Sequence, residues 1–143
     1  MPNHSSPRSF YLVMRLHQLV GERLEEALEP IGLTASQFTM LSLVRRYSPI
    51  TSAELARRLR IAAQSTGESV KALEAKMLIE RYGIEENKRV LVLKLTAQGQ
   101  RLLTRASKLV DEAENRFFET LKSSERENFE AAIDRLRSKS ARK

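Results

Sequence analysis

The residues able to do chemistry crowd into one stretch. Gln64, Ser65, Glu68, Ser69 and Lys71 lie close together, with Arg57, Arg58 and Arg60 just ahead of them. An amide, hydroxyls, a carboxylate and an amine at this spacing are hydrogen-bonding groups rather than a reaction centre. Glutamine can pair bidentately with adenine and a carboxylate can accept from a cytosine amino group. Lysine and arginine neutralise phosphates. Other chemistries lack their residues. The chain has no cysteine, which removes disulfides, thiolate zinc sites, iron–sulfur clusters and thiol redox sensing. His4 and His17 are the only two histidines, too few for an intrinsic transition-metal site. There is no G-x-S-x-G stretch, and no base and nucleophile can be assigned to one pocket. The expectation is a protein that is not an enzyme and needs no cofactor.

The totals agree. Twenty-five Lys and Arg against 18 Asp and Glu leave a formal charge of +7. Such an excess suits a polyanion, nucleic acid first and an anionic membrane second, and it also fits a protein that is merely basic. With 143 residues, 41% of them hydrophobic, the chain can build one core with appendages. Its apolar runs fall far short of the ~20 residues that span a bilayer. The opening "MPNHSSPRSF" is polar, and the apolar run after it is broken by Arg15 and His17. A cytoplasmic protein with no membrane partner is expected.

The elements that must position these residues follow from periodicity. Leu12, Leu16, Leu19, Val20, Leu24 and Leu28 recur at helical spacing until Pro30 and Gly32 stop the helix. Phe10, Tyr11, Val13 and Met14 widen its apolar face beyond what one core requires, which suggests a second surface to cover. Thr34 and Gln37 form a capping box for a second helix, Thr51 and Glu54 one for a third, and Ser124 and Glu127 one for the last. After a turn near residues 60–62 a fourth helix buries Thr66, Val70, Leu73 and Met77, giving a helix-turn-helix. The period then changes. Residues 78–82 and 90–95 read as two strands, with Gly83 and Asn87 as turn residues between them. Leu91, Leu93 and Leu95 share one face of the second strand. Thr96 caps a fifth helix with Leu102, Ala106, Leu109, Ala113 and Phe117 inside, broadened by Leu103, Val110 and Phe118. The last helix carries Phe129, Ile133 and Leu136. The expected fold is mainly α with a small β-hairpin wing, a winged helix-turn-helix flanked by N- and C-terminal helices.

These residues resemble the MarR family of winged-helix transcriptional regulators. The matching positions are Leu55-Ala56, Leu59, Leu73, Leu78-Ile79, Arg81, Arg89, Leu95-Thr96 and Gly99. The resemblance implies a homodimer that holds two winged helices on duplex DNA. In that layout residues 9–32 and 97–137 form a helical dimerisation region and residues 33–96 the DNA-binding region. Residues 1–8 are a disordered tail and 138–143 a basic frayed end. Two positions depart from the family pattern. Met77 stands where glycine usually ends the helix, so the helix is expected to end differently. Asn87 stands where an aspartate usually orients the wing arginine, a role Glu85 or Glu86 can take over.

With the fourth helix in the major groove, its outward residues are Gln64, Ser65 and Glu68, flanked by Ser69 and Lys71. Glu68 either reaches the groove or serves as an i,i+3 partner of Lys71 on a solvated face. Lys88 and Arg89 at the wing suit the minor groove. Ser52 and Ser65 lie near helix starts that can hold a phosphate, and Arg57 joins the basic cluster. A pseudo-palindromic duplex with half-sites about one helical turn apart is implied. Family members are commonly released by small anionic aromatic compounds. Tyr11, Arg15 and His17 either line such an effector pocket or are ordinary interface residues. The competing expectation is a winged-helix protein-interaction module that does not bind DNA specifically.

Overall fold

Short-range capping sets most element ends. The structure, a computed structural model, describes residues 6–84 and 86–141, with the side chains of Lys88 and Ala141 outside that description. Helices α1 (Ser9–Leu28), α2 (Ala35–Tyr47), α3 (Ser52–Leu59) and α4 (Ala63–Ala75) are followed by strands β1 (Ile79–Ile84) and β2 (Asn87–Leu95). Helices α5 (Ala97–Phe117) and α6 (Ser123–Ala141) complete the order. The expected mainly helical fold with one hairpin is therefore present.

The box at α2 is complete: the Thr34 hydroxyl accepts from the Gln37 N–H, and the Gln37 side chain accepts from the Thr34 N–H. At α3 only half forms. Thr51 accepts from the Glu54 N–H, while the Glu54 carboxylate lies 3.8 Å from Arg58. The box expected at Ser124 and Glu127 lies elsewhere. Lys122 precedes α6, and its N–H donates to Glu125 at 3.0 Å. Ser124 is already helical, and α6 continues to Ala141, so residues 138–140 are helix rather than a frayed end.

Three helical segments close with the same pair of backbone bonds. At Met77 they run from the Met77 N–H to the Glu74 carbonyl (2.9 Å) and from the Leu78 N–H to the Leu73 carbonyl (3.0 Å). The same pattern occurs at Gly32 and Arg60. All three residues are left-handed, with φ of 70°, 56° and 62° at Gly32, Arg60 and Met77. The expectation that α4 buries Met77 and ends differently for lack of glycine is thus corrected. Met77 lies beyond the helix, 66% exposed, and accepts the conformation that glycine takes more cheaply. The bonds it completes, and the burial of Leu78 against the core, outweigh that cost.

The strands run further than expected. They pair antiparallel from Ile79↔Leu95 to Gly83↔Leu91, then slip so that Ile84 faces Asn87. Gly83 and Asn87 are therefore strand residues, not the turn. The Ile50 carbonyl accepts from the Leu93 N–H at 2.7 Å, adding a single bridge to the hairpin. Leu93 and Leu95 are buried, while Leu91 near the tip is exposed.

By compactness the chain divides into Met1–Val110 and Asp111–Lys143. The first unit is built around Leu28, Leu41, Ile50, Leu55, Leu73 and Leu103, all fully buried. On α5 the buried centre is Leu103, Ala106 and Val110, so two positions taken as broadening are the centre of the face. In the second unit Phe118 lies edge-on to Phe117 and 5.9 Å from Phe129. The Arg126 guanidinium stacks on Phe118 and pairs with Glu114 and Glu130. Ile133 and Leu136 are exposed rather than inside.

Candidate nucleic-acid interface

Helix α4 is laid on the core by Thr66, Val70 and Leu73, all fully buried. Successive residues turn by about 100°. That places Gln64, Glu68 and Lys71 on the side opposite the buried stripe, and all three are exposed. Ser65 is exposed on one flank and Ser69 is half-buried beside it. Ala62 precedes the helix and supplies no side-chain cap, so the first amides of α4 are open to an outside acceptor. Glu68 and Lys71 form no ion pair within 4.0 Å among the described residues; the three-residue pairing open to them is absent.

The cations divide by what else they touch. Arg57 and Arg60 are exposed. The Arg58 guanidinium lies 3.5 Å from the centre of the Tyr47 ring, with Arg46 at 5.4 Å from the same ring. Arg58 therefore ties α3 to α2 as well as carrying charge. Ser52 is half-buried as the first residue of α3.

At the hairpin tip the register slip gathers Lys88, Arg89 and Val90 on β2. The Asn87 Oδ1 accepts from the Arg89 N–H at 3.0 Å. Asparagine thus orients the backbone at Arg89 by a local turn bond, without a charge. The Arg89 side chain is exposed, and no ion pair holds it among the described residues. The Lys88 side chain and all of Glu85 lie outside the described residues; Glu86 makes no ion pair among those described.

The base of the hairpin is tied to both neighbouring helices. Arg81 Nε donates to Glu74 Oε1 at 2.6 Å, joining β1 to α4. The Thr96 hydroxyl donates to the Met77 carbonyl (2.6 Å) and accepts from the Gly99 N–H (2.9 Å). The Thr96 N–H donates to the Leu78 carbonyl. A Cβ on Gly99 would stand 2.1 Å from that same carbonyl oxygen. Through Arg81, Thr96 and Gly99, α4, β1 and α5 are thus held together.

On α1, Tyr11, Arg15 and His17 are all exposed, and Arg15 donates to Gln18 of its own helix at 2.6 Å. Among the described residues no side-chain hydrogen bond or ion pair from another element reaches them. The described residues also hold no cluster of three or more His, Asp or Glu that could bind a metal. No described helix is long and apolar enough to cross a membrane.

The MarR family model matches residues 33–91, the stretch from the start of α2 through most of the hairpin. The HTH-type transcriptional repressor Rv2887 of Mycobacterium tuberculosis is 29% identical over 126 residues, covering 88% of this chain and 91% of that protein. Over residues 33–91 the chain is similar to the MarR family. A mutant MarR from E. coli complexed with operator DNA superposes with a TM-score of 0.80 at 25% identity, over 88% of this chain and 91% of that one. The M. tuberculosis MarR family protein Rv2887 in complex with salicylic acid gives 0.76 at 27% identity, over 94% and 99%.

Within this chain, sequence reasoning missed three positioning groups. Glu25 on α1 accepts from the Ala35 N–H at 3.0 Å and so helps to start α2. Tyr47 seats Arg58, and Ile50 braces β2. A carboxylate ten residues from the amide it caps leaves no local pattern. Arg81 and Gly99 were visible only as family positions; their contacts supply the physical reason.

Proposed function

We propose that this protein is a homodimeric transcriptional regulator of the repressor type that binds pseudo-palindromic duplex DNA and is released by a small anionic aromatic ligand. Residues 33–96 are the reading region, and residues 9–32 with 97–137 the dimerisation region. Gln64, Ser65, Glu68, Ser69 and Lys71 enter the major groove. Ser52 and Arg57 meet phosphates, and Lys88 and Arg89 meet the minor groove. The observation that carries this reading is α4. It is pinned to the core by one stripe and leaves its hydrogen-bonding side chains unburied, in a chain whose family neighbour is known on operator DNA.

The dimer is supported by exposed apolar side chains that no described residue covers. Phe10 is 85% exposed and Met14 70% exposed on α1. Leu136 on α6 is 68% exposed. The ligand is supported by the salicylate complex of the M. tuberculosis relative, and Tyr11, Arg15 and His17 are its proposed contacts.

The test is duplex binding over a range of salt. Binding whose logarithm falls by several units per decade of salt is expected, because each phosphate contact releases counterions. Arg89→Ala should weaken binding about tenfold without lowering the melting temperature. Absence of duplex binding at low salt would remove the regulator reading and favour the protein-interaction module.

A further inference from the structure

We propose that Glu68 is a specificity determinant that reads a cytosine amino group in each half-site and suppresses binding to other sequences. This rests on the regulator reading above. Three observations meet at this turn of α4. First, Glu68 points almost directly away from the buried stripe of Thr66, Val70 and Leu73, about 200° round the helix from Thr66. Second, its carboxylate is exposed and has no cationic partner among the described residues, although Lys71 lies one turn away. The other acidic residue of α4, Glu74, is taken up by Arg81. Third, the neighbouring Gly67 has no packing reason to be glycine. A Cβ there would meet nothing within 4 Å. A glycine inside a helix costs stability, and the open space at Gly67, like that at Gly21 of α1, leaves the backbone bare to a close approach from outside.

An unpaired anion at the centre of a cationic reading head has two physical consequences. Against phosphates it is repelled, which weakens binding to duplexes of arbitrary sequence. Against the major-groove edge of a G·C pair it accepts a hydrogen bond from cytosine N4, which recovers the loss. Gln64 stands one turn earlier, about 6 Å along the axis, and its amide suits adenine. The preferred half-site should therefore hold a cytosine within about two base pairs of an adenine.

The experiment is selection from random duplexes by the full-length protein, its Glu68→Gln and its Glu68→Ala variants, with binding to a scrambled duplex measured alongside. Both substitutions are at an exposed position, so melting curves should be unchanged. Wild type is expected to select a cytosine at one fixed position per half-site. Glu68→Gln should lose that preference roughly tenfold while binding the scrambled duplex several-fold more tightly. A uniform gain for all duplexes in both variants, with the selected sequence unchanged, overturns the proposal and leaves the regulator reading intact. Failure of wild type to select any duplex overturns both.

Discussion

At the scale of single residues, Met77 and Gly99 show opposite uses of the same freedom. Met77 holds φ at 62° with its side chain in solvent, so nothing is gained from the methionine itself. The left-handed conformation costs a side-chain-bearing residue about 1 kcal/mol. Met77→Gly should therefore raise stability by about 1 kcal/mol, read as a rise in melting temperature at fixed protein concentration. A fall would mean that the exposed thioether packs against a partner. Gly99 has an ordinary helical place, but it needs to be bare. Its missing Cβ makes room for the Leu78 carbonyl, which is backbone and cannot turn aside. Gly99→Ala should cost roughly 3 kcal/mol or abolish folding. Chemical denaturation measures it, and a neutral result would show that α5 sits otherwise on the hairpin.

The decisive scale for elements is the joint where α4, β1 and α5 meet. Thr96 caps α5 and at the same time holds the Met77 carbonyl, so one hydroxyl serves both the end of α4 and the start of α5. Thr96→Val keeps the shape and removes both bonds. The expected loss is about 1–2 kcal/mol in denaturant unfolding, a part-buried cap together with an exposed hydrogen bond. DNA affinity should fall as well, because the wing base and α4 lose a common anchor. Retained affinity with lowered stability would confine Thr96 to capping. The capping role was legible, since Thr96 opens a new helical period. Its reach across 19 residues to Met77 was not, because no local pattern encodes it.

For the whole molecule, the question is what covers the apolar surface of α1. Phe10, Val13 and Met14 are each more than half exposed and lie within about one turn of each other. A second copy of the chain is the proposed cover, and DNA with paired half-sites would then need both copies. Met14→Glu should raise the dimer dissociation constant at least about tenfold by sedimentation, and should weaken operator binding in step. An unchanged sedimentation coefficient across dilutions of that variant would place the dimer contacts elsewhere.

The sequence by itself determined where α2, α3 and α5 start, because a cap and its amide lie three residues apart, as at Thr34 and Thr96, while it misplaced the cap of α6. It determined, to within one residue, the switch from helical to strand period at Leu78, and the stripe that turns Gln64 and Glu68 outward. These signals are local, and periodicity carries them. Tertiary structure alone decided that Met77 leaves the helix in a left-handed turn and that Glu25 caps α2. It also decided that Gly83 and Asn87 belong to strands and that Gly99 meets the Leu78 carbonyl. Each depends on chain segments that folding brings together, where burying Leu73, Leu78 and Leu93 in one core outweighs local preference.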